Sequence, residues 1–374
     1  MNCAKKRAVV VGLGIGMAHA RAYMESDYAC LYGVSELNPV RLSKVGGTFS
    51  EGNMICLRPL FPDEMLDRRW EDLGVKVFPS LDAVLADPDV DIVSICTPDY
   101  LHPEHLRKAM ASGKDILLEK PLAITLDEAR SIEPEIRSYG HDFAIAYEFR
   151  SIPPVVQLRN LVQSGELGDV KAFSLYHFRT PFKRDKWNHW IQKRACSGGL
   201  LVEETCHWFD LARFITGKEI DSVSCVTEGG INEGFDFEDI AYVNGRYKDG
   251  GVFQISHALT GFDFSLQLTV HGTKKVAWCN FKETESSSLD AGQTDYYAVV
   301  SVGPVGGGVE DASVTTYGLE ATEPWAIKEQ VLNYCREAAL GKPHGAGVDD
   351  GMKSLEAALC SEESARTGAA VKLS

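Results

Sequence analysis

The feature that most constrains this chain is an alternation that fills its first 145 residues. Short runs, apolar along nearly their whole length, recur at 7–12 (RAVVVG), 30–35 (CLYGVS), 91–96 (DIVSIC), 115–118 (DILL) and 142–146 (DFAIA). Between them lie segments of helical period at about 17–26, 80–87, 103–112 and 125–138. Strands this apolar suit a parallel sheet covered on both faces. Parallel neighbours need crossover connections, and the intervening segments have the period to supply them as helices. The expectation is a doubly wound α/β domain over residues 1–147. One stretch, 46–72, carries Gly, Pro and charge in no regular period and reads as an irregular insertion between the second and third strands.

After about residue 150 the pattern changes. A helix at 154–164 leads into candidate strands at 169–178, 220–228, 238–247, 251–258 and 262–271, with helices at 200–216, 325–340 and 349–366. The glycine-rich stretch 303–318 reads as a loop. Residues 148–374 are therefore expected to form an α+β domain with a mostly antiparallel sheet. A chain of 374 residues is long enough for two such domains. The net charge of −15 argues against nucleic acid or an anionic membrane surface as a partner. No apolar stretch is long enough to span a bilayer. The basic start before AVVVG is cut short by glycines and by His19 and Arg21, so it does not read as a signal peptide. Ten dispersed cysteines with no CxxC pair read as reduced thiols of a cytoplasmic protein.

The stretch GLGIGMAHAR, 12–21, follows the first strand. It is one residue short of the dinucleotide-binding pattern G-x-G-x-x-G. In that pattern the first glycine makes a tight turn, the second lets backbone approach a pyrophosphate, and the third lets the helix pack close on the strand. Gly12 and Gly14 fit the first two roles, while Met17 stands where the third glycine should be and Gly16 comes one place early, after Ile15. Glu36 lies 24 residues past Gly12, directly after the second strand. A carboxylate there would bond ribose hydroxyls and repel a 2′-phosphate, which favours NAD over NADP. A strand–turn–helix corner without a ligand is the competing reading.

Two further stretches carry chemistry. In DILLEKPLAIT, 115–125, Lys120 closes a strand, where α/β sheets place their ligands, and Pro121 forces it extended. A solvated surface lysine is the plain alternative. In SGGLLVEETCHWFDLARFITG, 197–217, read as a helix, Glu203 and His207 stand at i and i+4, with Asp210 three residues further. A histidine oriented by carboxylates can act as a general base. The alternatives are an exposed acid–histidine pair or a metal set of Glu203, His207 and Asp210. The scarcity of His and Cys there, and the absence of HExxH, argue against metal, and none is expected.

These stretches occur in order with CTPDYLH (96–102), LEKPL (118–122), AYEFRSIP (146–153), GGLLVEETCHWFD (198–210) and ESARTGAAVKL (363–373). Together they resemble the glucose–fructose oxidoreductase / inositol dehydrogenase (Gfo/Idh/MocA) family of NAD(P)-dependent oxidoreductases. The resemblance implies an N-terminal Rossmann domain and a C-terminal α+β domain whose large open sheet forms a homo-oligomer interface. It implies that Lys120 polarises the reacting hydroxyl and that His207 takes its proton. Thr97, Pro98 and His102 would shape the nicotinamide site, with Glu119 and Lys120 at the cofactor edge. Tyr147 and Arg150 would contact substrate where the second domain begins. Three positions depart from the family pattern: Glu203 stands for Asp, Thr205 for Gly, and the glycine loop is shortened. Gly16 and His19 keep the family's interval, so Met17 is the first residue past a loop that lacks one position.

Before the proposed catalytic helix lies YHFRTPFKRDKWNHWIQKRACSGG, 176–199, rich in aromatics and bases. Aromatic faces stack on sugar rings, so His177, Trp187 and Trp190 are candidate substrate contacts. The resulting expectation is an NAD-dependent oxidoreductase that oxidises a secondary ring hydroxyl of a sugar, glycoside or inositol to a ketone. One rival is a redox-neutral catalyst that keeps and recycles its NAD. Another is a non-catalytic NAD(H) sensor, against which both Lys120 and His207 are retained.

Overall fold

The computed structural model describes residues 5–47, 61–181, 189–261, 265–284, 295–319, 326–342 and 345–374. The N-terminal half runs β1 (Lys6–Val11), α1 (Gly16–Glu25), β2 (Ala29–Ser35), α2 (Pro39–Ser43), α3 (Asp63–Leu66), β3 (Lys76–Phe78), α4 (Leu81–Ala86) and β4 (Ile92–Ile95). It continues through α5 (His102–Ala111), β5 (Asp115–Glu119), α6 (Leu126–Arg137) and β6 (Phe143–Ala146). The six strands pair in parallel in the order β3-β2-β1-β4-β5-β6. This is the doubly wound order, which reverses between β1 and β4 and opens a crevice at their C-terminal ends. Every residue of β4 is buried, as a strand covered on both faces requires.

The three-residue β3 was not read from the sequence, since so short a run carries no period. Of the expected insertion, 48–60 lies outside the described residues. Its flanks are packed rather than irregular: Val45, Phe61 and Trp70 are buried in the N-terminal core, with Phe61 edge-on to Trp70.

The second half runs α7 (Pro153–Gln163), β7 (Val170–Phe178), α8 (Arg194–Ser197), α9 (Leu200–Glu203), α10 (Thr205–Thr216), β8 (Ile220–Gly229) and β9 (Glu238–Tyr247). There follow β10 (Val252–Ala258), β11 (Ser265–Gly272), β12 (Lys275–Thr284), β13 (Asp295–Pro304), β14 (Ser313–Gly318), α11 (Ile327–Ala339), α12 (Val348–Thr367) and β15 (Val371–Lys372). Nine strands form one open sheet, β14-β13-β12-β11-β7-β10-β9-β8-β15, antiparallel except for β7 beside β10. Two expectations are corrected. Residues 303–318 are not a loop: they hold the end of β13, a 3-10 turn and β14, an antiparallel hairpin. The helix expected over 200–216 is broken at Glu204 into α9 and α10. The helices α7, α10 and α12 cover one face of the sheet. The chain then returns: α11 packs on α1, and its Ile327, Val331 and Tyr334 complete the N-terminal core.

Candidate active site

Two of the three loop glycines are required sterically, Gly12 and Gly16. Gly12 has φ +93°, and a Cβ there would stand 2.2 Å from the Cys96 carbonyl oxygen, so no other residue fits. A Cβ on Gly16 would lie 2.6 Å from Val10 Cγ1 and 3.2 Å from Cys96 Cβ, so its absence lets α1 pack against the sheet. The flank of Gly14 is open, its nearest atom a nitrogen of Arg41 at 3.7 Å. The helix starts at Gly16 itself, directly after Ile15, so the missing position shortens the approach to α1. Met17, the first residue past the shortened loop, is fully buried in the N-terminal core. Glu36 is folded back onto the loop: it accepts the Leu13 N–H at 2.6 Å and the Asn38 N–H at 2.8 Å. That grip fixes the carboxylate beside Gly12 and Gly14.

Beneath the loop is a buried chain of polar groups. His19 Nε2 lies 2.9 Å from Glu119 Oε1, its Nδ1 3.2 Å from Ser94 Oγ, and Ser94 bonds the Tyr23 hydroxyl at 2.7 Å. Glu119 is thus buried beneath the loop. Its second oxygen accepts the backbone N–H of Lys120 at 3.2 Å. His102 is likewise engaged on both sides, Nδ1 at 2.7 Å from Pro121 O and Nε2 at 2.9 Å from Thr97 O. It ties the turn after β4 to the cis Lys120–Pro121 bond and positions both. Thr97 and Pro98 form the half-buried rim of that turn, and Thr97 Oγ1 meets His105 Nδ1 at 3.0 Å.

Lys120 points inward, not into solvent. Its Nζ bonds Glu203 Oε1 at 2.8 Å and the Glu203 carbonyl at 2.9 Å. Burial opposes the charge, but Glu203 and the carboxylates around it outweigh that and hold the ammonium well above the usual lysine range. Glu203 therefore serves Lys120 and does not pair with His207, correcting the i, i+4 reading. The break at Glu204 turns the two side chains apart. His207 faces Glu148 instead, Nε2 to Oε1 at 3.6 Å, with Tyr147 and Phe149 edge-on to its ring. Its Nδ1 is buried with no hydrogen-bond partner. Burial first, then the Lys120 charge, push this imidazole well below its ordinary value, so it is neutral at pH 7.

Arg150, the candidate substrate contact, is engaged here by carboxylates. It holds Asp210 through Nε and Nη2, one edge of the guanidinium (Nε to Oδ2, 2.7 Å), and reaches Asp350 at 3.0 Å, with Arg213 on the same aspartate. Asp210 is thereby turned from His207, and the set Glu203, His207, Asp210 does not converge. Tyr147 is buried beside His207. His177 is buried against Trp208 and His257 rather than lining a cleft. Trp190 is half-buried in a 3-10 turn (His189–Gln192), and Trp187 lies outside the described residues.

Sequence reading missed Glu148 and Asp99. Both are buried acids, Asp99 in the field of Glu203, Lys120 and Glu119. Each stands a few residues past a strand end, a place where a lone acid carries no pattern of its own.

Residues 6–147 match the model of the oxidoreductase family with an NAD-binding Rossmann fold, and residues 155–277 match the GFO/IDH/MocA C-terminal domain. The chain belongs to the GFO/IDH/MocA family. Among curated members, the inositol 2-dehydrogenase of Rhizobium meliloti is 24% identical over 272 residues, 71% of this chain and 72% of that one. The 1,5-anhydro-D-fructose reductase of Ensifer adhaerens is 28% identical over 198 residues, 52% of this chain and 58% of the relative. With several such relatives the chain spans only about half their length. Among solved structures, levoglucosan dehydrogenase in complex with NADH and L-sorbose superposes with TM-score 0.77 at 18% identity, over 100% of both chains. An oxidoreductase domain protein from Kribbella flavida gives 0.78 at 18%, again over 100% of both. These two likenesses establish the fold. The residues here fit the NAD of the family: a glycine pocket that a Cβ would fill, an open Gly14 flank and an anchored Glu36 at the end of β2.

Proposed function

We propose that this chain is an NAD-dependent dehydrogenase that oxidises a secondary ring hydroxyl of a sugar, glycoside or inositol to a ketone. The observation that carries the proposal is the pairing of opposite proton states at one buried site. Lys120 is held charged and His207 is held neutral, beside the crevice at the C-terminal end of β5. An alcohol oxidation needs both: a donor to the hydroxyl oxygen and a base for its proton. NAD, when bound, supplies the hydride acceptor.

The ammonium of Lys120 has three N–H donors. Two go to Glu203, leaving one for the substrate oxygen, whose hydroxyl becomes more acidic in that contact. The Nε2 side of His207 faces the Glu148 carboxylate, which orients the ring and stabilises the imidazolium that forms. The basic atom is then Nδ1, which takes the hydroxyl proton. Glu36 selects NAD over NADP by repelling a 2′-phosphate. The names of the inositol and sugar relatives support a polyhydroxylated substrate.

The function is tested by incubating the purified protein with NAD and a panel of inositols, aldoses and glycosides while following reduced nicotinamide. At least one ring polyol is expected to drive reduction. His207→Asn should lower kcat on it by about 10²- to 10⁴-fold. No reduction by any member, or full activity in the variant, would overturn the reading.

The homo-oligomer is proposed on the uncovered face of the nine-stranded sheet. Tyr176, Val226, Tyr242, Val252, Trp278 and Val314 are exposed there on six different strands. Tyr176 and Tyr242 stand on either side of Ser256, and Val226 pairs with Tyr242, so the patch is continuous across four strands. Contiguous apolar surface of this kind marks an interface. Sedimentation at micromolar concentration should show a dimer or larger, and Trp278→Glu should shift it toward monomer; a wild-type monomer would refute the interface.

A further inference from the structure

Among the described residues, one group of three side chains with metal-ligating atoms converges: His177, Glu204 and His257, all buried, with donor atoms within 4.8 Å of one another. The topology builds it. His177 and His257 are register partners on the parallel pair β7 and β10. Each takes the last inward position of a buried stripe, after Phe173 and Leu175 on one strand and Phe253 and Ile255 on the other. Their rings are tilted by 32° with centroids 5.1 Å apart. Glu204 is delivered onto them by the break between α9 and α10.

The hydrogen bonds fix which atoms face inward. His177 Nδ1 lies 2.9 Å from the Ser265 carbonyl, which can only accept, so Nδ1 carries the proton and Nε2 the lone pair. Thr205 Oγ1 donates its one proton to Leu200 O at 3.0 Å, so toward His257 Nδ1, at 2.8 Å, it can only accept. His257 is therefore also protonated on Nδ1, with its lone pair on Nε2. That Nε2 is buried, has no hydrogen-bond partner, and stands 3.8 Å from Glu204 Oε2, beyond bonding length. Each imidazole thus keeps a lone pair on Nε2, in a cluster whose ligand atoms lie within 4.8 Å of one another, and no proton is shared between His257 and Glu204. Acceptors facing acceptors in a buried site are unfavourable unless a cation joins them. The backbone carbonyl and the threonine hydroxyl on the two Nδ1 atoms are the outer partners that metal-bound histidines have.

We infer that His177, Glu204 and His257 form a binding site for a divalent first-row transition ion. Two imidazoles and one carboxylate suit zinc or iron(II), and three protein donors leave a position for a further oxygen ligand. Donors around a tetrahedral ion with bonds of about 2.0 Å stand about 3.3 Å apart, so binding draws the three side chains slightly together. Arg179 holds the other oxygen of Glu204 at 2.7 Å. It orients the carboxylate, and its charge weakens the site relative to one without it. Thr205 belongs to the same arrangement, since a glycine in its place could not set the tautomer of His257.

The test uses the full chain, dialysed against a chelator and titrated with Zn²⁺ and, separately, Co²⁺. One equivalent of each is expected to bind, with a rise in Tm, and Co²⁺ should give the visible bands of a protein-bound ion. His257→Gln and Glu204→Gln should each weaken binding at least about tenfold. Because either variant could unfold, the wild-type Co²⁺ form supplies a second readout: two paramagnetically shifted, slowly exchanging imidazole N–H signals, one for each Nδ1. Failure of the wild type to bind, equal binding in folded variants, or absence of the paired N–H signals would each overturn the site.

Discussion

Lys120→Met is expected to lower kcat by about 10³-fold or more while NAD still binds, because the variant removes the buried cation proposed to polarise the reacting hydroxyl. The change also leaves Glu203 buried without its partner, and breaking such a pair costs about 3–5 kcal/mol. Lost activity could then be mistaken for lost fold. The double variant Lys120→Met, Glu203→Gln separates the two, since it removes both charges together and should recover much of the stability without recovering turnover. Steady-state kinetics on the polyol that reduces nicotinamide, NAD titration by calorimetry, and urea unfolding read the three quantities. Turnover close to wild type in the folded double variant would remove Lys120 from the chemistry.

The second large effect is at the glycine loop, and it comes as a contrast. Gly12→Ala puts a Cβ 2.2 Å from the Cys96 carbonyl at a residue with φ +93°. Strain and clash act together, so the N-terminal domain should lose about 3 kcal/mol or more and NAD binding with it. Gly14→Ala meets only a nitrogen of Arg41 at 3.7 Å, an ordinary contact. Its stability should match the wild type, yet its methyl group would stand where a pyrophosphate approaches the backbone. NAD affinity alone should fall, by at least about tenfold, or 1.4 kcal/mol. Unchanged NAD affinity in Gly14→Ala would mean that the loop does not cradle the cofactor from that side.

The shortened loop shows how far the sequence carries. Spacing from Gly16 to His19 was enough to assign the third glycine, and the structure gives the physical reason. Gly16 sits against Val10 and Cys96, while His19 reaches Glu119 below, so the interval between them is set by the helix and cannot vary. The missing residue therefore falls between Gly14 and Gly16.

What the sequence determined by itself follows from periodicity and local chemistry. Apolar strands alternating with helices dictate the doubly wound sheet, and the order of short motifs dictates the family. Which side chains meet was another matter. Glu203 and His207 are four residues apart and read as a pair, yet a single break at Glu204 sends one to Lys120 and the other toward Glu148. Arg150 stands in a motif that reads as substrate-facing, but it is bound by Asp210 and Asp350, which lie 60 and 200 residues further on. Residues 303–318 are rich in glycine and read as a loop, yet β13 gives β14 a partner for its backbone bonds. His177 and His257 are 80 residues apart and meet only because β7 and β10 pair in parallel in one register. Local sequence fixes the period of an element, whereas the partner of a buried charge or lone pair is set by desolvation. That cost is met by whichever group the tertiary fold brings within reach, however distant in the chain.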